Sequence, residues 1–121
     1  LCQFEQDSKP WLPLIMAGQL NLVDKLSYRS SMPLASRVVA KAHLVSVNRQ
    51  GMEAYLNHHL NIAGVKTPLF DETAITAIHQ GSGGLFRKAN HLARGALIAA
   101  AHEQTSSVSA NHVRLAATEI F

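Results

Sequence analysis

A single cysteine, Cys2, has no partner for an internal disulfide, so nothing in the chain calls for an oxidising compartment. The longest unbroken apolar run, Ala96 to Ala101, is far shorter than the roughly 20 residues that cross a bilayer, and no membrane span is expected. No basic stretch followed by an apolar one opens the sequence, as a secretory signal would require, which makes a cytoplasmic protein the expectation. Metal chemistry lacks its usual residue patterns too. His58 and His59 are adjacent and so point about 100° apart on a helix, "HEQTS" at His102 lacks the second histidine of a zinc-protease helix, and no cysteines cluster. Cys2 has no evident base beside it, so a nucleophile is not expected there. Asp71 and Glu72 read as helix-start residues rather than a catalytic carboxylate pair. Aromatic residues are only 6% of the chain and no recognition-helix motif is present, so its scattered basic residues read first as solvated surface.

What is present fits one small domain with its own core: 121 residues, 47% of them apolar. A net charge of +3 permits contact with anions such as phosphate, in a pH-dependent way given seven histidines. The chain opens at Leu1, and its first residues read like the end of a helix, as expected for a piece of a longer protein. Trp11 to Gln19 is an apolar run closed by Gly18, and Ala42 to Val47 is a second; both fit buried strands. Leu20 to Tyr28 and Leu34 to Lys41 are expected helices between them.

From Asn48 onward the pattern is helical. Asn48 is an expected N-cap for a helix carrying Met52, Tyr55, Leu56 and Leu60 on one face, with Gly64 at its end. Asp71 is expected to cap a second helix that ends at Gly81, and Ser109 a fourth. Phe70 with Ile75, and Val108 with Val113, have the spacing of hydrophobic staples. The third helix, Leu85 to Glu103, carries a stripe of Leu85, Ala89, Leu92, Ala96 and Ala99 or Ala100, widened by Phe86, Ala93 and Leu97. Its small residues suit close packing against antiparallel neighbours.

The stretch "HQGSGGLFRKANHLARG" (79–95) carries the chemistry. Arg87, His91 and Arg94 stand at i, i+4 and i+7, one polar face opposite the apolar stripe. A cation in the first turn faces the positive end of the helix dipole, which costs about 0.3 to 1 kcal/mol at an exposed site. An anion bound there would reverse that sign, with Gly81, Gly83 and Gly84 letting the backbone come close to it. A glycine cap followed by a solvated basic helix fits the same residues.

"GSGGLFRKANHLARGALIAAA" resembles the lid subdomain of AAA+ ATPases, in which a Gly-Gly-x-Pro-Arg turn opens the helix bearing the sensor 2 arginine. The likeness is nearest to ATPases related to general secretion pathway protein A and to transposition helper ATPases of bacterial mobile elements. It extends through "QFEQDSKPWLPLIMAGQLNL", "SRVVAKAHLVSV" and "AYLNHHLNIAGV", in order along nearly the whole chain. The resemblance implies that Arg87 is the sensor 2 arginine and that Gly83, Gly84, Leu85 and Phe86 border the nucleotide. Phe86 departs from the family pattern, which often has proline there. Gln19 would be the sensor 1 residue that positions the attacking water, at the carboxyl end of a strand where ligands of open α/β sheets gather. Its other reading is a glutamine that caps the next helix. Arg37 would be the arginine finger offered to a neighbouring subunit, with Arg29 as the competitor.

No Gly-x-x-x-x-Gly-Lys-Ser/Thr loop occurs and no apolar strand ends in an Asp-Glu pair, so this chain alone is expected neither to bind ATP tightly nor to hydrolyse it. The fold expected is mainly α: a lid-type four-helix bundle at 48–121, preceded at 1–47 by a short α/β remnant of an ATPase core. The function the resemblance implies is the carboxyl-terminal part of a AAA+ ATPase, a DNA transposition helper. That protein would use ATP and Mg2+ when complete, form homo-oligomers, and work with DNA and a transposase. A secretion-associated ATPase of the general secretion pathway A type is the first alternative. A non-enzymatic helical module that binds DNA or protein is the second.

Overall fold

Side chains and turns that satisfy free helix ends set the element boundaries. The computed structural model describes residues 12–120, apart from the Ile120 side chain. In order it contains α1 (Asn21–Leu26), a 3-10 turn (Arg29–Ser31), α2 (Met32–Ala35), α3 (Arg49–Ile62), α4 (Glu72–Ser82), α5 (Phe86–His102) and α6 (Ala110–Ile120). Cys2 and Trp11 lie outside the described residues. The chain divides into two units, Leu1–His43 and Leu44–Phe121.

In the first unit the structure corrects several expectations. Neither 12–19 nor 42–47 forms a strand, the latter run lying across the boundary between the units. A strand's amide and carbonyl groups need a neighbouring ladder, and among the described residues these stretches have none. Most of their apolar side chains are accordingly exposed, Ile15 at 92% and Leu44 at 94%, Val47 being the exception. The helix expected at 20–28 contracts to 21–26, where the Ser27 hydroxyl donates back to the Val23 carbonyl. The helix expected at 34–41 starts earlier and stops after one turn. Pro33, in its first turn, favours the early start. Ser36 Oγ and Arg37 Nη1 both donate to the Pro33 carbonyl and close the turn, and two β-branched valines follow.

The second unit is the four-helix arrangement. Asn48 accepts the Gly51 amide at 2.8 Å and opens α3; Gly64, at φ 88°, ends it. Asp71 accepts the Ala74 amide at 2.8 Å and opens α4. Phe70 and Ile75 are both buried, as are Val108 and Val113, and Val47, just ahead of the Asn48 cap, packs on the same core as Met52. Three helices therefore start with an apolar residue before the cap and another in the next turn, both contributing to the core. Helix α4 runs past Gly81 and ends at Gly83, the residue with φ 63°. Gly81 stays helical, and its missing Cβ admits Leu92, whose Cδ1 would lie 2.9 Å from one. The expected helix end was thus two residues early, because positive φ and not glycine itself marks the end.

The core consists of Met52 and Leu56 from α3, Phe70 just ahead of α4, Ala74, Ile75 and Ile78 from α4, the Ala89, Leu92, Ala93, Ala96 and Ala100 stripe of α5, Val108 just ahead of α6, and Val113 from α6. Helices α5 and α6 form the largest contact, α4 packs on both, and α3 packs on α4. The starts of α4 and α6 are joined. Phe70 and Val108 form a parallel bridge, in which Val108 donates to the Leu69 carbonyl at 2.8 Å and its own carbonyl accepts from Asp71 at 3.0 Å. Thr73 Oγ1 donates to Asp71 at 2.6 Å and accepts the Ala110 amide at 3.2 Å, so one hydroxyl serves both helix starts.

The Thr73 hydroxyl and then the Ala74 amide hold the Asp71 carboxyl below its ordinary 3.8. The folded state thus prefers the charged form: the resulting stability is complete above that ordinary value and fades as pH falls through the lowered one. Urea unfolding should find Asp71→Ala about 1 kcal/mol less stable than the parent at pH 7. The gap should narrow in acid.

Candidate functional site

The turn between α4 and α5 is built from three residues with distinct tasks. Ser82, buried, donates its hydroxyl to the His79 carbonyl at 3.2 Å and accepts the Gly84 amide at 3.3 Å. Gly83 takes the left-handed conformation with open space where a Cβ would stand. Gly84, at φ 77°, is buried against the segment leading into α3: a Cβ there would sit 2.3 Å from the Val47 carbonyl oxygen. The Val47 amide donates to the Gly84 carbonyl at 3.0 Å, and the Val47 carbonyl accepts from His79 Nε2 at 3.0 Å. Close approach at Gly84 is therefore to the protein's own backbone.

Leu85 then leaves the turn in extended conformation as the N-cap of α5, with no side chain able to accept a helix amide. Phe86 occupies the first helical position, where the Gly-Gly-x-Pro-Arg turn it resembles often has proline. A missing N–H is harmless there, so both residues suit the position. Phe86 gains a contact proline would lack: its ring stacks on Tyr55 of α3, centroids 4.2 Å apart and planes 22° from parallel. Tyr55 donates its hydroxyl to Asn90 Oδ1 at 2.8 Å, one turn further along α5, and meets His59 edge-on at 4.5 Å. This aromatic grip could not be read from the sequence, because Tyr55 and Phe86 are 31 positions apart and each fits its own helix stripe.

Arg87 follows, exposed, in the first turn of α5, which contains no acidic residue. Among the described residues no carboxylate lies within ion-pairing distance of Arg87, His91 or Arg94, the three exposed members of the basic face. Glu53, Glu72 and Glu103 are engaged elsewhere. Arg49 at the start of α3 binds Glu72 and Glu53 and donates to Thr76 Oγ1 at 2.9 Å, tying α3 to α4. Glu103 meets His112 Nε2 at 2.7 Å, while Nδ1 of that buried ring accepts the Ser109 amide at 3.0 Å. The ring thus carries its Nε2 proton toward Glu103 and stands where a capping box usually has Glu or Gln.

Gln19 and Arg37 belong to the first unit. Gln19 is exposed just ahead of α1, its carbonyl accepting the Leu22 amide at 2.9 Å; α1 begins with no side-chain cap. Arg37 is exposed, with Nη1 on the Pro33 carbonyl at 2.8 Å; Arg29 lies in the 3-10 turn. An open hollow of about 250 Å³ lies by the carboxyl end of α3, lined by Asn57, Asn61, Lys66 and Pro68 among others, and none of the site residues lines it. Among the described residues no three potential ligands gather to hold a metal ion, and no helix is long and apolar enough to cross a membrane.

Comparison with known proteins gives a related sequence for nearly the whole chain. Over 120 residues, 99% of this chain, it is 32% identical to General secretion pathway protein A of Aeromonas hydrophila. The chain spans 22% of that protein's length. No protein-family model and no solved structure matches it.

Gly83 and Gly84 both have positive φ, but only Gly84 is hemmed in by backbone. Denaturation should show Gly83→Ala losing about 1 to 2 kcal/mol, the left-handed strain of one residue. Gly84→Ala should lose more, because the Val47 carbonyl must also be displaced.

Proposed function

We propose that residues 48–121 are the lid subdomain of a AAA+ ATPase and that Arg87 is its sensor 2 arginine, reaching the terminal phosphates of ATP. The observation that carries this reading is an exposed guanidinium in the first turn of α5 with no carboxylate partner among the described residues. An arginine so placed is unfavourable beside the helix dipole until an anion arrives, and then guanidinium and amides act on the same charge. Leu85 and Phe86, about half exposed on either side of the turn, would border the nucleotide with Gly83 and the backbone of Gly84. Residues 1–47 would be the carboxyl end of the ATPase core, with Gln19 as the sensor 1 residue and Arg37 as the arginine finger. ATP and Mg2+ would be held mainly by upstream residues of a longer, oligomeric, cytoplasmic protein.

The colinear similarity to General secretion pathway protein A supports the secretion-associated form of this reading. The transposition-helper form, with DNA and a transposase as partners, rests on the motif likeness alone. Either form makes the same demand on Arg87. In the full-length protein, Arg87→Ala should lower ATP turnover by about 100-fold, the scale on which a preorganised charge-stabilising donor acts, and Arg87→Lys should recover only part of it. Arg94→Ala, two turns further along the same face, should stay within about twofold of the parent. Steady-state turnover at saturating ATP tests this, and an unaffected Arg87→Ala would overturn the assignment.

A further inference from the structure

Val47 is anchored at both of its backbone polar atoms. Its amide donates to the Gly84 carbonyl and its carbonyl accepts from His79 Nε2, each at 3.0 Å. Its side chain packs on the core, and its carbonyl lies so close to the Gly84 α-carbon that only glycine fits. His79 is half-buried one turn before the end of α4, so the ring spans from that helix to the segment entering α3. The turn that aims α5 is thereby held from outside by residue 47. It has little else of this kind, since Leu85 gives α5 no side-chain cap.

We infer that His79 is a positioning residue for Arg87: through the Val47 carbonyl it clamps residues 46–47 onto the glycine turn and so fixes the direction in which the first turn of α5 leaves it. In functional terms this rests on the sensor reading of Arg87, but the clamp itself is a property of the turn. Removing the His79 N–H leaves the Val47 carbonyl without its donor and weakens the adjoining amide bond, because the two share one peptide segment. The Phe86–Tyr55 stack and the buried alanine stripe keep α5 in place meanwhile, so the expected change is local.

Amide exchange and backbone resonances of the 15N-labelled chain test this. In His79→Leu the Val47 amide should exchange at least about tenfold faster, a local opening, while the Ala116 amide in α6 stays within about twofold of the parent. The Arg87 amide resonance should move with it. His79→Gln, whose side-chain N–H can still reach the carbonyl, should restore both signals. Unchanged Val47 exchange in His79→Leu would overturn the clamp. A faster Val47 with an unmoved Arg87 resonance would overturn the positioning role. Equal loss of protection at Ala116 and Val47, with no rescue by His79→Gln, would mean that the ring only stabilises the unit as a whole, and would overturn it as well. A silent Arg87→Ala in the turnover assay would remove the nucleotide reading without touching these exchange rates, so the two can fail separately.

Discussion

Helix α5 starts without a side-chain cap, so its first turn relies on contacts from other parts of the unit. Two grips supply them. Val47 binds the backbone of the glycine turn, and Tyr55 covers the Phe86 ring while reaching Asn90 one turn on. Both come from α3 or the residues leading into it, although α3 packs mainly on α4. These small contacts hold the turn just ahead of Arg87, while packing on α4 and α6 holds the rest of α5. They also explain why positive φ recurs at consecutive positions: Gly83 ends α4, and Gly84 lets residue 47 come within hydrogen-bonding range.

The other end of the bundle is fixed by a different device. Phe70 and Val108 bring the starts of α4 and α6 side by side, and Thr73 connects the Asp71 carboxylate to the first amide of α6. Glu103, at the end of α5, reaches the ring of His112 in the first turn of α6. Between its ends, α5 buries four alanines and Leu92, which let neighbouring helices approach closely. Its 17 residues form a rod of roughly 25 Å, fixed at the far end and along its length.

The parts of this fold that were legible in the sequence are those governed by neighbours in the chain. Asn48, Asp71 and Gly64 mark helix ends because caps act over three or four residues, and the α5 stripe follows from its period. The two apolar runs were misread as strands for the opposite reason: a strand is defined by a partner, and the sequence of 12–19 or 42–47 does not say whether one is present. Gly81 misled because glycine at a helix end and glycine under a packed side chain look the same in a sequence; Leu92 distinguishes them only in space. At the site, Arg87 and its basic face were visible from spacing. The contacts of His79 with Val47 and of Tyr55 with Phe86 bridge more than thirty positions and leave no local signal.

The glycines of the turn are accounted for by the fold: one ends a helix and the other admits Val47. Their positive φ is therefore explained without an anion. The Arg87 guanidinium is not accounted for in the same way. Its cost of about 0.3 to 1 kcal/mol is small beside a domain's stability of roughly 5 to 15, so the fold can carry it but gains nothing from it. Glu72 shows the usual alternative one helix earlier, an acid in the first turn of α4 that also binds Arg49. Arginine in the corresponding turn of α5 reverses that arrangement. Its rigid fork of donors suits the paired oxygens of a phosphate better than a point charge would, and the apolar Leu85 and Phe86 beside it would keep water from screening the contact. The guanidinium, and not the turn that presents it, is therefore the feature that a bound phosphate would explain.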